Sequence, residues 1–148
     1  MTIRLQSASV PVSTDTLRLS TKGHTDIRDI TPRVQAAVDG SGLKRGTATV
    51  FVVGSTAGVT TVEFEPGLVA DLQEVFEEIA SSKRDWHHHE RWHDDNGHAH
   101  VRASLLGPSV VVPFNGGRLA LGTWQQIVFI DFDTRPRDRE IVVQIMGE

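Results

Sequence analysis

The C-terminal third of the chain leaves little freedom of fold. Val110–Pro113 reads as a strand, with three successive β-branched valines. Asn115-Gly116-Gly117 then gives a hairpin signal, because asparagine and glycine tolerate the positive φ that tight turns demand. Arg118–Asp131 carries one long apolar strand or two, Arg135–Arg139 reads as a solvated polar turn, and Glu140–Met146 as a closing strand. Consecutive strands joined by short turns imply an antiparallel sheet.

Upstream the periodicity changes. Thr2–Val12 alternates loosely and reads as an opening strand, with Thr16–Leu19 as its hairpin partner. In DITPRVQAAVDGSG, Thr31 is the expected N-cap and Pro32 the first helical residue, where a missing N–H costs nothing. Val34, Ala37 and Val38 share one face, and Gly40 is the expected stop. Gly46–Val53 is a buried strand, GSTAG interrupts it, and Val59–Phe64 resumes the extended pattern. Pro66 opens a second helix to about Ala80, with Leu68, Val69, Leu72, Val75, Phe76 and Ile79 at helical spacing opposite Asp71, Glu74, Glu77 and Glu78. Two main helices among many strands make this a single α+β domain, residues 1–148, built on a barrel-like or sandwiched antiparallel sheet.

Bulk properties narrow the function classes. A domain of 148 residues buries roughly 70% of the surface its unfolded chain exposes, so it needs no metal as a folding staple. The absence of cysteine excludes thiolate zinc sites, cysteine nucleophiles and disulfides, and fits a reducing compartment. The N-terminus lacks the apolar segment of a signal peptide, and no run approaches the ~20 residues of a membrane span. A net charge of −4 argues against nucleic-acid binding. A cytoplasmic protein without nucleic-acid or membrane partners is expected.

Six of the seven histidines fall in WHHHERWHDDNGHAH, Trp86–His100, which is polar enough to read as a long loop. Imidazole is the commonest protein ligand for zinc and related ions. The candidates are His87, His88, His89, His93, His98 and His100, with Asp94 and Asp95 as ligands or as acceptors that fix a tautomer. Neighbours in HHH diverge, so at most one or two of them face one ion. His98–Leu106 fits a short helix or a strand. In a strand His98 and His100 would share a face, and in a helix they would diverge. The alternative is a loop of solvated histidines.

Other signals are weaker. Trp124 and Gln125 interrupt an apolar run and either line a pocket or, for Trp124, pack in the core. The small residues of GSTAG, Ser55 and Thr56 among them, offer backbone N–H groups to an anion but lack the lysine of a P-loop. Glu63 and Glu65 precede a helix, and Glu63 is a candidate acid or base. Arg102 is a candidate phosphate ligand or a partner of Asp94 or Asp95. There is no HExxH, G-x-S-x-G or G-x-G-x-x-G.

GHAHVRASLLGPSVVVPFNGGRLALGTWQQIVFIDFD resembles the C-terminal signature of the YjbQ family: an AH segment, LLG-x-S, a G-x-L hairpin and LGTWQ-x-I, followed by the closing RDREIVVQIMGE. The resemblance implies an antiparallel barrel-like sheet assembled as a homotrimer. It also implies a thiamine-phosphate synthase side activity that couples a pyrimidine diphosphate to a thiazole phosphate. The dedicated enzyme for that step is a TIM barrel, which needs at least ~200 residues, more than this chain has. Where the family carries a histidine this chain has Gly54, while His89 and His100 match the other two family histidines. The extra His98 then suggests a compensating set of His89, His98 and His100 around a divalent ion, zinc by ligand chemistry. Glu63 matches the family's acidic residue. In this reading Arg102 or the Ser55-Thr56 backbone holds phosphate, and Trp124 or Gln125 lines the pocket of a transferase-like enzyme. The alternative is a non-catalytic trimer that binds a metal or small ligand.

Overall fold

A computed structural model describes residues 9–148, so the strand expected over Thr2–Val12 lies largely outside the described residues. The closing strand shows how the pattern works. In β8, Arg137–Gly147, every second residue from Arg139 to Ile145 is buried, while Glu140, Gln144 and Met146 face out. Its neighbours are β1 (Val12–Thr21) and β3 (Arg45–Val53), and β3 continues to β5 (Ser109–Asn115) and β6 (Arg118–Leu119). This five-stranded sheet is antiparallel throughout. A three-stranded antiparallel sheet, β2 (Asp26–Asp29), β7 (Gln126–Asp131) and β4 (Ala57–Val62), stacks on its inner face, and together they curl into a half-barrel.

β7 explains the apolar run that sequence alone left as one strand or two. Ile127 and Phe129 point into the core between the sheets, packed with Val50, Ile141 and Val143. Val128, Ile130 and Phe132 point the other way, into a second core beneath helices. A strand buried on both faces loses the alternation of a half-solvated one. A six-residue connection, residues 120–125, separates it from β6, which lies in the other sheet. Gly116 and Gly117, at φ 59° and 74°, make the expected hairpin turn between β5 and β6.

Four helices, not two, complete the α+β fold: α1 (Thr31–Ser41), α2 (Pro66–Ile79), α3 (His87–Trp92) and α4 (Gly97–Leu106). α1 closes the main core with Val34, Ala37 and Val38. Its start differs from expectation: Thr31 is the first helical residue, and its hydroxyl accepts from the Ile127 N–H instead of capping. Its end is Gly42 in the left-handed region, two residues beyond Gly40. In α2 the Glu65 carboxylate caps the helix by accepting from the Gly67 and Leu68 N–H groups. α2 and α4 cover the second core through Val69, Leu72, Phe76, Ala99 and Ala103.

Two expectations are corrected here. Thr16–Leu19 belongs to the long β1, which runs unbroken from Val12 and pairs with β8, so no turn separates it from Val12. Arg135–Arg139 is not a solvated turn, because β8 begins at Arg137 and Arg139 is buried. The outward face of the five-stranded sheet is also unusual. Phe51, Val53, Val111, Val142 and Met146 lie on it, and its charged ion pair, Arg18 with Glu140, sits near the β1–β8 end.

Candidate functional site

The ambiguity over His98 and His100 resolves as a helix, and two positions apart on a helix they diverge. His98 turns inward and is 3% exposed. Burial pushes its pKa down, and the nearby Arg102 guanidinium pushes it further, so the neutral imidazole is favoured. His100 turns toward α3 and the Gly54–Thr56 loop, where its ring meets that of His88 with centroids 4.4 Å apart and planes tilted by 37°. Burial lowers the His100 pKa, and repulsion from His88 lowers it further. Asp94, Asp133 and a backbone hydrogen bond with Ser55 pull it back.

The elements that make this contact are fixed locally. α3 is short and buries no residue of its own. It is held down at Trp86, whose indole N–H donates to the Ser81 carbonyl at 2.9 Å. Gly97 lies beneath Trp86: a Cβ there would stand 2.6 Å from the Trp86 Cβ, so only glycine permits the approach. His93 and Asp95 adopt left-handed φ values of 54° and 55°, which turn the chain sharply between α3 and α4. Non-glycine residues in that region cost of order 1 kcal/mol each and concentrate at functional sites. Asp94, between them, places a carboxylate oxygen 3.3 Å from His88 Nδ1, without hydrogen-bond alignment, so that buried nitrogen lacks a hydrogen-bond partner.

Opposite His100, the loop of small residues is anchored from below. The Thr56 hydroxyl donates to Asp133 at 3.1 Å and accepts from Arg139 at 2.7 Å. Arg139 makes a two-pronged pair with Asp131 at 2.7 and 2.8 Å, and the Thr21 hydroxyl and the Asp133 N–H also donate to Asp131. Burial would raise the Asp133 pKa, but hydrogen bonds from Thr134, Thr56 and Arg137 outweigh it and hold it low. Ser55 is left exposed above this network. A cavity of about 220 Å³ opens there, lined by Gly54, Ser55, Ala57, His100, Ala103 and Ser104 among others. The cavity presents the His100 imidazole, backed by the His88 ring, and the Ser55 and Ser104 side chains to a small ligand.

The expected site residues divide between places. Ser55 and His100 come together, and Thr56 supports them from beneath. His89 faces away, with Nδ1 2.8 Å from Asp95 and the ring beside His93. With His98 inside and His100 on His88, the expected set of His89, His98 and His100 is not assembled. Among the described residues no three His, Asp or Glu side chains stand together in a metal-ligating group. Arg102 is a structural cation, not a phosphate ligand: it is 3% exposed and its guanidinium is spent on Ala80 O, Thr25 Oγ1 and Glu77. Burial would raise the Glu77 pKa, but bonds from Arg102, Ser81 and Ser82 bring it from 4.5 to about 2.

Glu63, Trp124 and Gln125 gather at the opposite end of β4 and β7, one strand length away, roughly 20 Å. There the Gln125 amide donates to the Thr61 hydroxyl, and Trp124 is 72% exposed instead of buried in the core. Sequence reasoning missed the Asp131–Asp133–Arg139 network. Its signal was present: two aspartates inside an apolar run, and an arginine with the same strand parity as Ile141 and Val143.

A family model described as UPF0047 protein YjbQ-like matches residues 15–148. A UPF0047 protein of Archaeoglobus fulgidus is 38% identical over 130 residues, 88% of this chain and 98% of that protein. The UPF0047 protein YugU of Bacillus subtilis is 35% identical over 134 residues, 89% of this chain and 98% of its own length. Among solved structures, a YbjQ-like protein of unknown function from Sulfolobus solfataricus superposes with a TM-score of 0.90 at 37% identity, covering 95% of this chain and all of that one. An uncharacterized YjbQ/UPF0047 protein of Clostridium acetobutylicum gives 0.81 at 37% identity, over 88% and 98% of the two chains.

Proposed function

Starting from a chain that belongs to the YjbQ-like UPF0047 family, a family of unknown function, we propose that it is an enzyme acting on a small phosphorylated molecule, with the His88–His100 pair as acid and base. The observation that carries this is the 4.4 Å contact of the His88 ring with His100, which lines the Ser55 cavity. Two imidazoles in contact can offer a proton donor and a proton acceptor side by side. Asp94 favours the charged form of the pair, and its carboxylate is placed to close on His88 Nδ1 when that nitrogen carries a proton. The Ser55 and Ser104 hydroxyls offer hydrogen bonds to the ligand.

The narrower reading is the thiamine-phosphate synthase reaction, in which both substrates are phosphorylated. Full-length protein assayed with the pyrimidine diphosphate and the thiazole phosphate tests it. Turnover that falls at least ~100-fold in both His100→Ala and His88→Ala is expected, the range typical of a lost acid–base group. Turnover unchanged in His100→Ala contradicts the assignment.

A second reading keeps a divalent ion, zinc by ligand chemistry, which His88, His100 and Asp94 would have to close around, since they do not stand as a ready ligand group. It is favoured by the buried His88 Nδ1 that lacks a hydrogen-bond partner. A bound ion would neutralise a diphosphate leaving group. Elemental analysis of untagged protein decides it: near-stoichiometric metal in wild type and loss in His100→Ala support it, and no metal in either refutes it.

Self-association, with a homotrimer as the expected form, completes the proposal. Its support is the exposed apolar face around Phe51, Val53 and Val111, since monomers seldom leave such a patch uncovered. Phe51→Glu should give monomers in sedimentation, and an unchanged assembly argues against this face.

A further inference from the structure

We infer that the cavity on the other side of α3 is a binding site for a phosphoryl group, held by Lys83, Arg84 and His89. The cavity measures about 210 Å³ and is lined by Ser82, Lys83, Arg84, Trp86, His89 and Asp95 among others, a set separate from the His100 cavity. A tetrahedral anion with a small substituent fits that volume.

Three features point to an anion. Lys83 and Arg84 are adjacent, and both line the cavity. The Arg84 guanidinium lies 4.5 Å from the Trp86 ring centroid, which holds it at the rim at little entropic cost. His89 is oriented by its Nδ1 edge: Asp95 Oδ1 stands 2.8 Å from that nitrogen, and the Asp95 backbone N–H donates to it at 3.2 Å. With Nδ1 accepting from the Asp95 N–H, the proton of the neutral ring sits on Nε2, the edge left to donate to a ligand oxygen. This orientation depends on the left-handed φ of Asp95, which brings that residue back onto His89. Asp85 also lines the cavity, and Asp95 is committed to His89, so the set favours a compact anion over an extended polyanion. The inference stands apart from the His88–His100 assignment, because His88 and His89 leave α3 in different directions.

The test is a titration of ¹⁵N-labelled full-length protein with inorganic phosphate at constant ionic strength, followed at the His89 imidazole and the Trp86 indole N–H. A parallel titration uses glycerol phosphate. Saturable shifts at millimolar concentration with either ligand are expected, and tighter binding of glycerol phosphate would mean that the cavity takes an organic phosphate. Lys83→Ala/Arg84→Ala, two exposed positions, should weaken the affinity at least 10-fold, and His100→Ala should leave it intact. Asp95→Asn keeps the backbone N–H on His89 Nδ1 and removes a negative charge from the lining, so it should bind at least as tightly as wild type. Shifts that never saturate, or an affinity unchanged in the Lys83/Arg84 variant, overturn the inference. Loss of binding in His100→Ala alone would overturn it as well, by placing the anion in the other cavity.

Discussion

Asp131→Asn removes one charge from the middle of the buried network and keeps its shape. Asp131 is fully buried and takes two hydrogen bonds from Arg139, one from Thr21 and one from the Asp133 N–H. Without its carboxylate the Arg139 guanidinium keeps only Asp133, at 3.5 Å, as an ionic partner. Breaking a buried pair from one side costs about 3–5 kcal/mol, because the surviving charge stays out of water. The residual Asp133 contact puts this case at the low end, about 3 kcal/mol. For a domain of this size that lowers Tm by about 6–12 °C, at 2–4 °C per kcal/mol. The exposed pair Arg18–Glu140 is the internal control, since Arg18→Ala should cost no more than about 1 kcal/mol. Asp131→Leu/Arg139→Met removes both charges and should recover much of the loss, as apolar replacements of buried pairs often do. Urea unfolding of the four proteins measures these differences. Asp131→Asn within 1 kcal/mol of wild type, or a double variant no better than the single one, would refute the view that this network holds the Thr56 loop by charge.

Gly97→Ala forces the Trp86 side chain off α4, at a cost of about 1–3 kcal/mol for overpacking. It should separate His88 from His100, seen as loss of coupling between their NMR signals; an unchanged Trp86 environment would show that α3 does not depend on Gly97. Stability should fall on acidification in two stages. The His98 and His100 pKa values are lowered by burial, so the unfolded chain takes up protons first, and stability that is full above about pH 7 declines as pH drops below 6.5. Glu77, held near 2 against 4.5 when unfolded, adds stability that is present above pH 4.5 and lost between 4.5 and 2. Urea midpoints measured from pH 8 to 3 check both stages, and a midpoint flat from pH 7 to 5.5 would contradict the first.

The sheet was legible because its signals are local. Asn115-Gly116-Gly117 makes its turn, Gly46–Val53 lies within one residue of β3 at its start, and Pro66 opens α2. The histidine segment was not legible, because α3 has neither an apolar face nor a side-chain cap. It exists because Gly97 admits Trp86 and because His93 and Asp95 reverse the chain. Arg102 looked like a site residue for a similar reason. In a helix that begins at Gly97 its position is internal, and its partners Ala80, Thr25 and Glu77 lie 22, 77 and 25 residues away in sequence. The His98 and His100 alternatives turned on a single question, strand or helix, and the helix decided which histidine meets solvent.

The most direct measurement is an NMR pH titration of the histidine rings in metal-free wild type and in His88→Ala. The contact between these half-buried rings predicts that His100 titrates below its ordinary 6.5 in wild type and moves upward when His88 is removed. A His100 that titrates at 6.5 in both proteins would show two independent surface histidines and contradict the assignment of this pair as acid and base.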